Sequence, residues 1–300
     1  MAAGVPSITQ RWVARHLPPR PPRGHKGDFG RVLVIAGSID YPGAAVLTAL
    51  GAMRAGAGVV RVATADSVAA RLAGAAPELT WMALDEEAPG LIAPGGWRRL
   101  ASEAPRFDAV VIGPGLGSQP ATQRRARQLI AGLDLPGVID ADGLNALAGG
   151  PRWWQSVRGP MVLTPHPGEF ARLVGQAAPD GEDDDARAAA AVEATLRWNQ
   201  VVVLKGAHTV VAEPGGQRLA SAIATPALAT AGSGDVLAGA IGAFLAGGAE
   251  PFAAAACGVA VHGAAGLIAA DRIGSAGVMA RDLANLLPEA IGQLRSDRGR

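Results

Sequence analysis

Short apolar runs, mostly β-branched on consecutive positions, constrain the fold of this 300-residue chain more than any other feature. They fall at 31–36 (RVLVIA), 59–63 (VVRVA), 109–112 (AVVI), 137–140 (GVID), 161–163 (MVL) and 201–204 (VVVL). A strand with one wet face alternates apolar and polar residues, whereas a strand covered on both faces reads as a continuous apolar run. The runs therefore predict a parallel sheet buried on both sides. Between them lie Ala-, Leu- and Arg-rich stretches of helical length at 43–56, 66–75, 119–132, 142–149, 167–174 and 184–198. Strand–helix alternation of this kind predicts an α/β architecture. A short helix is expected at about 7–16, before the proline-rich stretch 18–22. After a strand within 207–212 and a turn at 213–216, the chain is expected to become mainly helical, at 234–247, 251–271 and 281–294. No low-complexity linker or internal repeat divides it, so one domain over residues 1–300 is expected.

Composition narrows the function. Twenty-seven Lys and Arg stand against 26 Asp and Glu, which gives no field to gather nucleic acid or an acidic membrane surface. A lone cysteine, Cys257, excludes an intramolecular disulfide framework and a cysteine-rich zinc site, and a cytoplasmic location follows as the default expectation. The first 12 residues lack the apolar segment of a signal peptide. Residues 252–270 approach membrane-spanning length but are mostly Ala and Gly and contain His262, so burial inside the fold is the simpler expectation. Only two of the basic residues are lysines, Lys26 and Lys205. In a chain that otherwise uses arginine, both attract attention as functional candidates.

Three glycine-rich segments occupy positions where α/β proteins bind ligands. Gly37-Ser38 follows the first strand, Gly113-Pro-Gly115-Leu-Gly117 follows the third, and Gly232-Ser233-Gly234-Asp235 opens an apolar helix. A helix N-terminus presents unpaired N–H groups and a positive dipole end, which favours an anion. Asp235 in that first turn is either a helix-stabilising charge or a base that accepts a proton from a substrate hydroxyl. Neither lysine is followed by Ser or Thr, so no P-loop exists, and G-x-G-x-G at 113–117 is a poor dinucleotide fingerprint. His166 and Glu169, in the rigid turn LTPHPGE after a strand, suit a substrate contact and an acid that orients a hydrated metal ion; a surface histidine and a helix-start charge suit them as well. Lys205 at a strand end beside Gly206 can reach a phosphate, or can simply face solvent from a hairpin. Asp140 and Asp142 form a close acidic pair that could bind a metal, although Asp142 could equally cap a helix. His262 reads as a core residue, and the acidic stretch 182–185 as a solvated helix start.

Taken in order, His25-Lys26-Gly27-x-x-Gly30, Gly37-Ser38-x-x-Tyr41-x-Gly43-Ala44, the 113–117 glycines, Asp140-Ala-Asp-Gly-Leu-Asn145, Thr164-Pro-His-Pro-Gly-Glu169, Lys205-Gly206 and Gly232–Asp235 resemble the ADP/ATP-dependent NAD(P)H-hydrate dehydratases of the ribokinase-like superfamily. The resemblance runs from about residue 8 to 290. It implies a three-layer α/β/α fold with a mostly parallel central sheet. It implies a substrate, the S epimer of hydrated NADH or NADPH, whose ring hydroxyl is phosphorylated by ADP or ATP and then lost as phosphate.

By the same resemblance Asp235 is the base, and Gly232, Ser233 and Gly234 form the anion hole. Ala44, Gly115, Gly117 and His166 contact the hydrate. Lys205, Gly206, Ala207, His208, Thr209 and Gly234 hold the adenine nucleotide, and Glu169 holds Mg2+ through water. A homotetramer is implied, as is a separate NAD(P)H-hydrate epimerase, because the epimerase domain fused to many relatives is expected to be absent here. The family often has Asn upstream of the Gly-x-Gly-Asp motif, where this chain has Thr225, which leaves that loop's phosphate contacts open. Two other classes share some of the features: a small-molecule kinase of the same superfamily, marked by a stable phosphorylated product, and a non-catalytic nucleotide binder, marked by affinity without turnover.

Overall fold

The computed structural model describes residues 4–296. In chain order the elements are α1 (Gln10–His16), β1 (Arg31–Ile35), α2 (Pro42–Ala55), β2 (Val59–Ala65), α3 (Asp66–Leu72), β3 (Thr80–Leu84), β4 (Glu86–Ala88), β5 (Leu91–Ile92), α4 (Pro94–Glu103), β6 (Ala109–Ile112), α5 (Pro120–Ala131), β7 (Gly137–Ile139), α6 (Asp142–Ala148), β8 (Met161–Leu163), α7 (Pro167–Val174), α8 (Asp184–Trp198), β9 (Val201–Leu204), β10 (Val210–Ala212), β11 (Arg218–Ala220), α9 (Ser233–Ala246), α10 (Pro251–Arg272) and α11 (Ala280–Arg295). Nine strands form one sheet in the order β11-β10-β9-β8-β7-β6-β1-β2-β3. It is parallel from β9 to β3, and β10 runs antiparallel to both its neighbours. A two-stranded ribbon, β4-β5, lies apart from it.

Side chains alternate across a strand, so the apolar runs divide between two cores. Val32 and Val34 face α1, α2, α9, α10 and α11, whereas Leu33 and Ile35 face the layer of α3 to α8; all four are fully buried. This is the expected three-layer arrangement. α10 is long and apolar enough to cross a membrane by length and composition, but 83% of its most apolar window is buried inside the protein.

Strand order reverses between β1 and β6: from β1 the chain winds outward through β2 to β3, and from β6 it winds the other way. In an open α/β sheet, the crevice at the carboxyl ends of the strands near such a point is where ligands bind. The loops Gly37-Ser38 and Gly113–Gly117 leave the sheet there, and Gly37 N–H donates to Pro114 O at 2.8 Å.

Two helices meet at this end because two glycines let their backbones touch. A Cβ on Gly51 of α2 would stand 2.4 Å from Val236 O, and one on Gly239 of α9 would stand 1.9 Å from Thr48 O. At the same crossing a Cβ on Gly232, the N-cap of α9, would stand 2.4 Å from Leu47 Cδ1 of α2.

Several elements differ from expectation. The strand within 207–212 narrows to β10, with residues 205–209 forming the loop before it. β3, β11, the β4-β5 ribbon and α4 carry too little sequence signal: β3 (TWMAL) is an edge strand with one half-exposed face, and β11 has three residues. α4 begins Pro-Gly-Gly, which reads as a loop, yet it is held by buried Trp97 and Leu100.

Candidate active site

Residues 205–209 are the loop between antiparallel β9 and β10. The hairpin expected as the bland alternative is therefore present, but Lys205 does not face solvent. Its Nζ donates to Asp140 Oδ1 at 2.8 Å and lies 3.8 Å from Glu169 Oε2. Asp140 ends β7, is 1% exposed, and also accepts from Thr164 Oγ1 at 2.7 Å. Burial alone would lower the Lys205 pKa, but Asp140 and Glu169 outweigh it and the net shift is upward, so the lysine stays charged.

His166 is the N-cap of α7. Its ring Nδ1 accepts from Gly168 N–H at 3.0 Å, while the His166 backbone N–H donates to Glu169 Oε2 at 2.8 Å. This reciprocal cap explains why a histidine can stand where Ser or Asp is usual. Burial, together with Lys205 and Arg172, lowers the His166 pKa, so the ring is neutral at pH 7. Glu169 is itself buried, and that burial raises its pKa despite the lysine. The helix-cap reading and the functional reading of these two residues are thus compatible.

At α9, Gly232 takes the left-handed conformation (φ 84°) as N-cap and Ser233 begins the helix. Ser233 Oγ lies 3.1 Å from Nε2 of buried His262, whose pKa burial pushes down to about 4, so this ring is neutral as well. His262 is a core residue, as expected, but it also lines the cavity. Asp235, in the first turn, has its pKa raised to about 7, first by burial and then by Asp140, against the pull of Lys205. Asp142 and Glu169 add smaller upward pushes.

A cavity of ≈390 Å³ collects His166, Lys205, Gly206, Ala207, Thr209, Ser233 and Gly234, closed by Thr225, Leu228 and Leu237. His208 does not line it; its Nδ1 lies 3.2 Å from Ser221 O, and only its backbone belongs to the loop. Ala44, Gly115, Gly117 and Asp235 are not part of the cavity wall; Ala44 and Gly115 meet each other beside Tyr41. Gly115 has φ +64°, and a Cβ there would stand 2.8 Å from Ala44 Cβ and Tyr41 Cβ. Gly117 N–H donates to Asp142 Oδ2 at 2.8 Å. Asp235 feels Lys205 and Glu169 as well as Asp142.

The acidic pair at 140 and 142 does not form one metal site. Asp140 holds Lys205 and Thr164, while Asp142 accepts from Gly117 N–H and Asn145 Nδ2. Asp140 is the member that sequence reasoning undervalued. Its signal was its place at a strand end in line with the other sites.

Among the described residues no group of three or more metal-binding side chains exists. Lys205 already occupies the near faces of Asp140 and Glu169. The donors therefore suit an ion that keeps its water shell and leans on phosphate, which is how Mg2+ binds, rather than a caged ion. Lys26 lies elsewhere: its side chain is exposed, before the start of β1 and so at the opposite end of the sheet. Its carbonyl packs where a Cβ on Gly58 would fall, 1.7 Å away, and His25 N–H donates to Asp28 Oδ2. The His-Lys-Gly motif is a backbone turn.

The mostly parallel sheet between two helical layers, with the lysine–carboxylate cluster and the α9 N-terminus at its reversal, has the fold of a solved ribokinase-like protein from Enterococcus faecalis, which superposes with a TM-score of 0.81 at 24% identity. The family model for NAD(P)H-hydrate dehydratase matches residues 32–289, and the chain belongs to that family. It is 39% identical to the ADP-dependent (S)-NAD(P)H-hydrate dehydratase of Xanthomonas campestris pv. campestris, over 91% of this chain and 92% of that one. It is 41% identical to the bifunctional NAD(P)H-hydrate repair enzyme Nnr of Moorella thermoacetica, over 97% of this chain but 54% of that one. The chain spans about half the length of the first curated relatives it matches. The crystal structure of the ADP/ATP-dependent NAD(P)H-hydrate dehydratase from Bacillus subtilis, co-crystallised with ATP/Mg2+, superposes with a TM-score of 0.82 at 33% identity, covering 98% of this chain and 100% of that one.

Proposed function

We propose that this chain dehydrates the S epimer of NADH or NADPH hydrate, using ADP or ATP. The carrying observation is Asp235, held with a pKa of about 7 at the N-terminus of α9, next to a cavity whose wall bears Lys205 and Gly234. Hydroxide is a poor leaving group at neutral pH and phosphate a good one. The nucleotide's terminal phosphoryl group supplies that exchange.

Asp235 takes the proton from the ring hydroxyl as its oxygen attacks the terminal phosphorus of ADP, and AMP leaves. Backbone N–H groups at Gly232–Gly234 and the α9 dipole stabilise the charge on the transferring group. The ring C–O bond then breaks, phosphate departs with the electron pair, and the neighbouring ring carbon loses a proton, which restores the double bond of NAD(P)H. Lys205 and the 205–209 loop hold the nucleotide. His166, Ala44, Gly115 and Gly117 hold the hydrate, with the close contact of Gly115 and Ala44 forming its floor. Mg2+, when bound, screens phosphate charge, and Glu169 holds it through water.

The same proposal takes the protein to be a cytoplasmic homotetramer, served by an NAD(P)H-hydrate epimerase that returns the R epimer to the substrate pool. Relatives named as bifunctional repair enzymes support that pairing. Light scattering on the purified chain tests the tetramer, and cell fractionation tests the location. The reaction is tested by incubating purified protein with the hydrate and ADP or ATP. Recovery of the reduced-nicotinamide absorbance is expected only with nucleotide, and a stable phosphorylated product instead would mark a kinase.

A further inference from the structure

We infer that Arg187 is a positioning residue for nucleotide binding, fixing the 205–209 loop from behind so that its N–H groups face the cavity. This rests on the proposed nucleotide site and adds to it a residue on another element. Arg187 lies in the first turn of α8, in what the sequence presents as a solvated acidic helix start, yet it is only 1% exposed. Its Nη1 donates to His208 O at 3.0 Å and to Asp184 Oδ1 at 3.1 Å. Its Nη2 donates to Leu204 O and Lys205 O, both at 3.2 Å. One guanidinium thus ties both arms of the loop.

The consequence follows from peptide geometry. In a planar trans peptide the C=O of one residue and the N–H of the next point in opposite directions. Turning Lys205 O and His208 O toward Arg187 therefore turns the N–H groups of Gly206 and Thr209 away from it. Gly206 O accepts from Thr209 Oγ1 at 3.1 Å, which ties the loop to itself between the two held carbonyls. Gly206, Ala207 and Thr209 all line the cavity, whereas Arg187 does not. A pair of outward N–H groups is a phosphate- or ribose-binding edge.

Gly206 and Arg187 are matched: a Cβ on Gly206 would stand 2.2 Å from Nη2, so glycine at this position leaves the guanidinium its room. Only a planar fork with several donors can hold three carbonyls and a carboxylate at once; an ammonium cannot reproduce that set.

The test is Arg187→Lys and, on the other side of the contact, Gly206→Ala, each in the full chain. ADP and AMP affinity is read by calorimetry, KM and kcat by the hydrate assay, and folding by thermal melting. We expect each variant to melt cooperatively and to bind ADP about 10-fold or more weakly, the loss of one charged hydrogen bond's worth of order. KM for ADP should rise in step, and in Arg187→Lys, which lies outside the cavity, kcat at saturating ADP and KM for the hydrate should change little. The double variant should lose less than the product of the two single losses, since both act on one contact. Wild-type ADP affinity in both folded variants would overturn the inference, because a purely structural arginine lowers the melting temperature without touching KM. A wild-type chain that binds ADP but leaves the hydrate unchanged refutes the reaction alone, and the affinity comparison still decides Arg187.

Discussion

Asp235→Asn should abolish turnover and stabilise the protein, and the stabilisation should grow with pH. The folded-state pKa is raised from 3.8 to about 7 by burial and by Asp140. A raised carboxyl pKa favours folding fully below the unfolded value, and that contribution is lost as pH rises through the folded value. Integrating the shift, the ionised carboxyl costs the folded state about 4 kcal/mol at pH 8 and about 2 kcal/mol at pH 5, relative to its protonated form. Asparagine has the same shape and carries neither cost. At about 2 °C per kcal/mol for a chain of this length, Asp235→Asn should melt about 8 °C higher at pH 8 and about 4 °C higher at pH 5. Asp235 is partly exposed and solvent screening reduces these figures, so the sign and the pH trend carry the test. The assay is differential scanning fluorimetry of both proteins from pH 5 to 8. A variant no more stable than wild type at pH 8, or one whose offset is independent of pH, would show that Asp235 is not a strained acid.

The wild-type kcat/KM should rise as pH increases through about 7, because the base works only once ionised; a flat profile over pH 6–8 would remove Asp235 from that role. Lys205→Ala leaves Asp140 and Glu169 buried without their cation, so it should cost about 3–5 kcal/mol of stability and most nucleotide affinity. Arg124→Ala on the exposed face of α5 should stay within about 0.5 kcal/mol, and urea melts of the two variants make the comparison. Gly115→Ala drives a Cβ into Ala44 and Tyr41 at a left-handed position. It should raise KM for the hydrate about 10-fold while AMP binding, read by calorimetry, stays as in wild type. Chelation by EDTA should stop turnover, with recovery on adding Mg2+.

The sheet was legible because its central strands are buried on both faces and therefore write themselves as unbroken Val and Ile runs. The elements that escaped, β3, β11 and α4, sit at edges or begin with glycine, where tertiary contact and not local pattern decides the structure. The site followed the same division. Residues proposed to meet ligand from a strand end or a helix N-terminus, such as Lys205 and Asp235, stand in short ordered motifs. Residues that act from behind do not. Asp140 was visible only as half of an acidic pair. Arg187 was hidden in a helix that reads as solvated, because nothing local distinguishes an arginine that leaves its helix to hold a loop 17–21 residues away. Lys26 misled for the opposite reason: its motif is real, but its work is done by the backbone. Of the two lysines, Lys205 is held by buried carboxylates at the cavity, whereas Lys26 is exposed at the far end of the sheet.

The most direct measurement is single-turnover incubation of the purified chain with the S epimer of NADH hydrate and ADP, following NADH, AMP and phosphate together. The three products should appear in equal amounts, at a rate that depends on ADP or ATP and vanishes in Asp235→Asn. NADH released without nucleotide cleavage, or nucleotide cleaved without NADH, would contradict phosphorylation of the ring hydroxyl as the step this site performs.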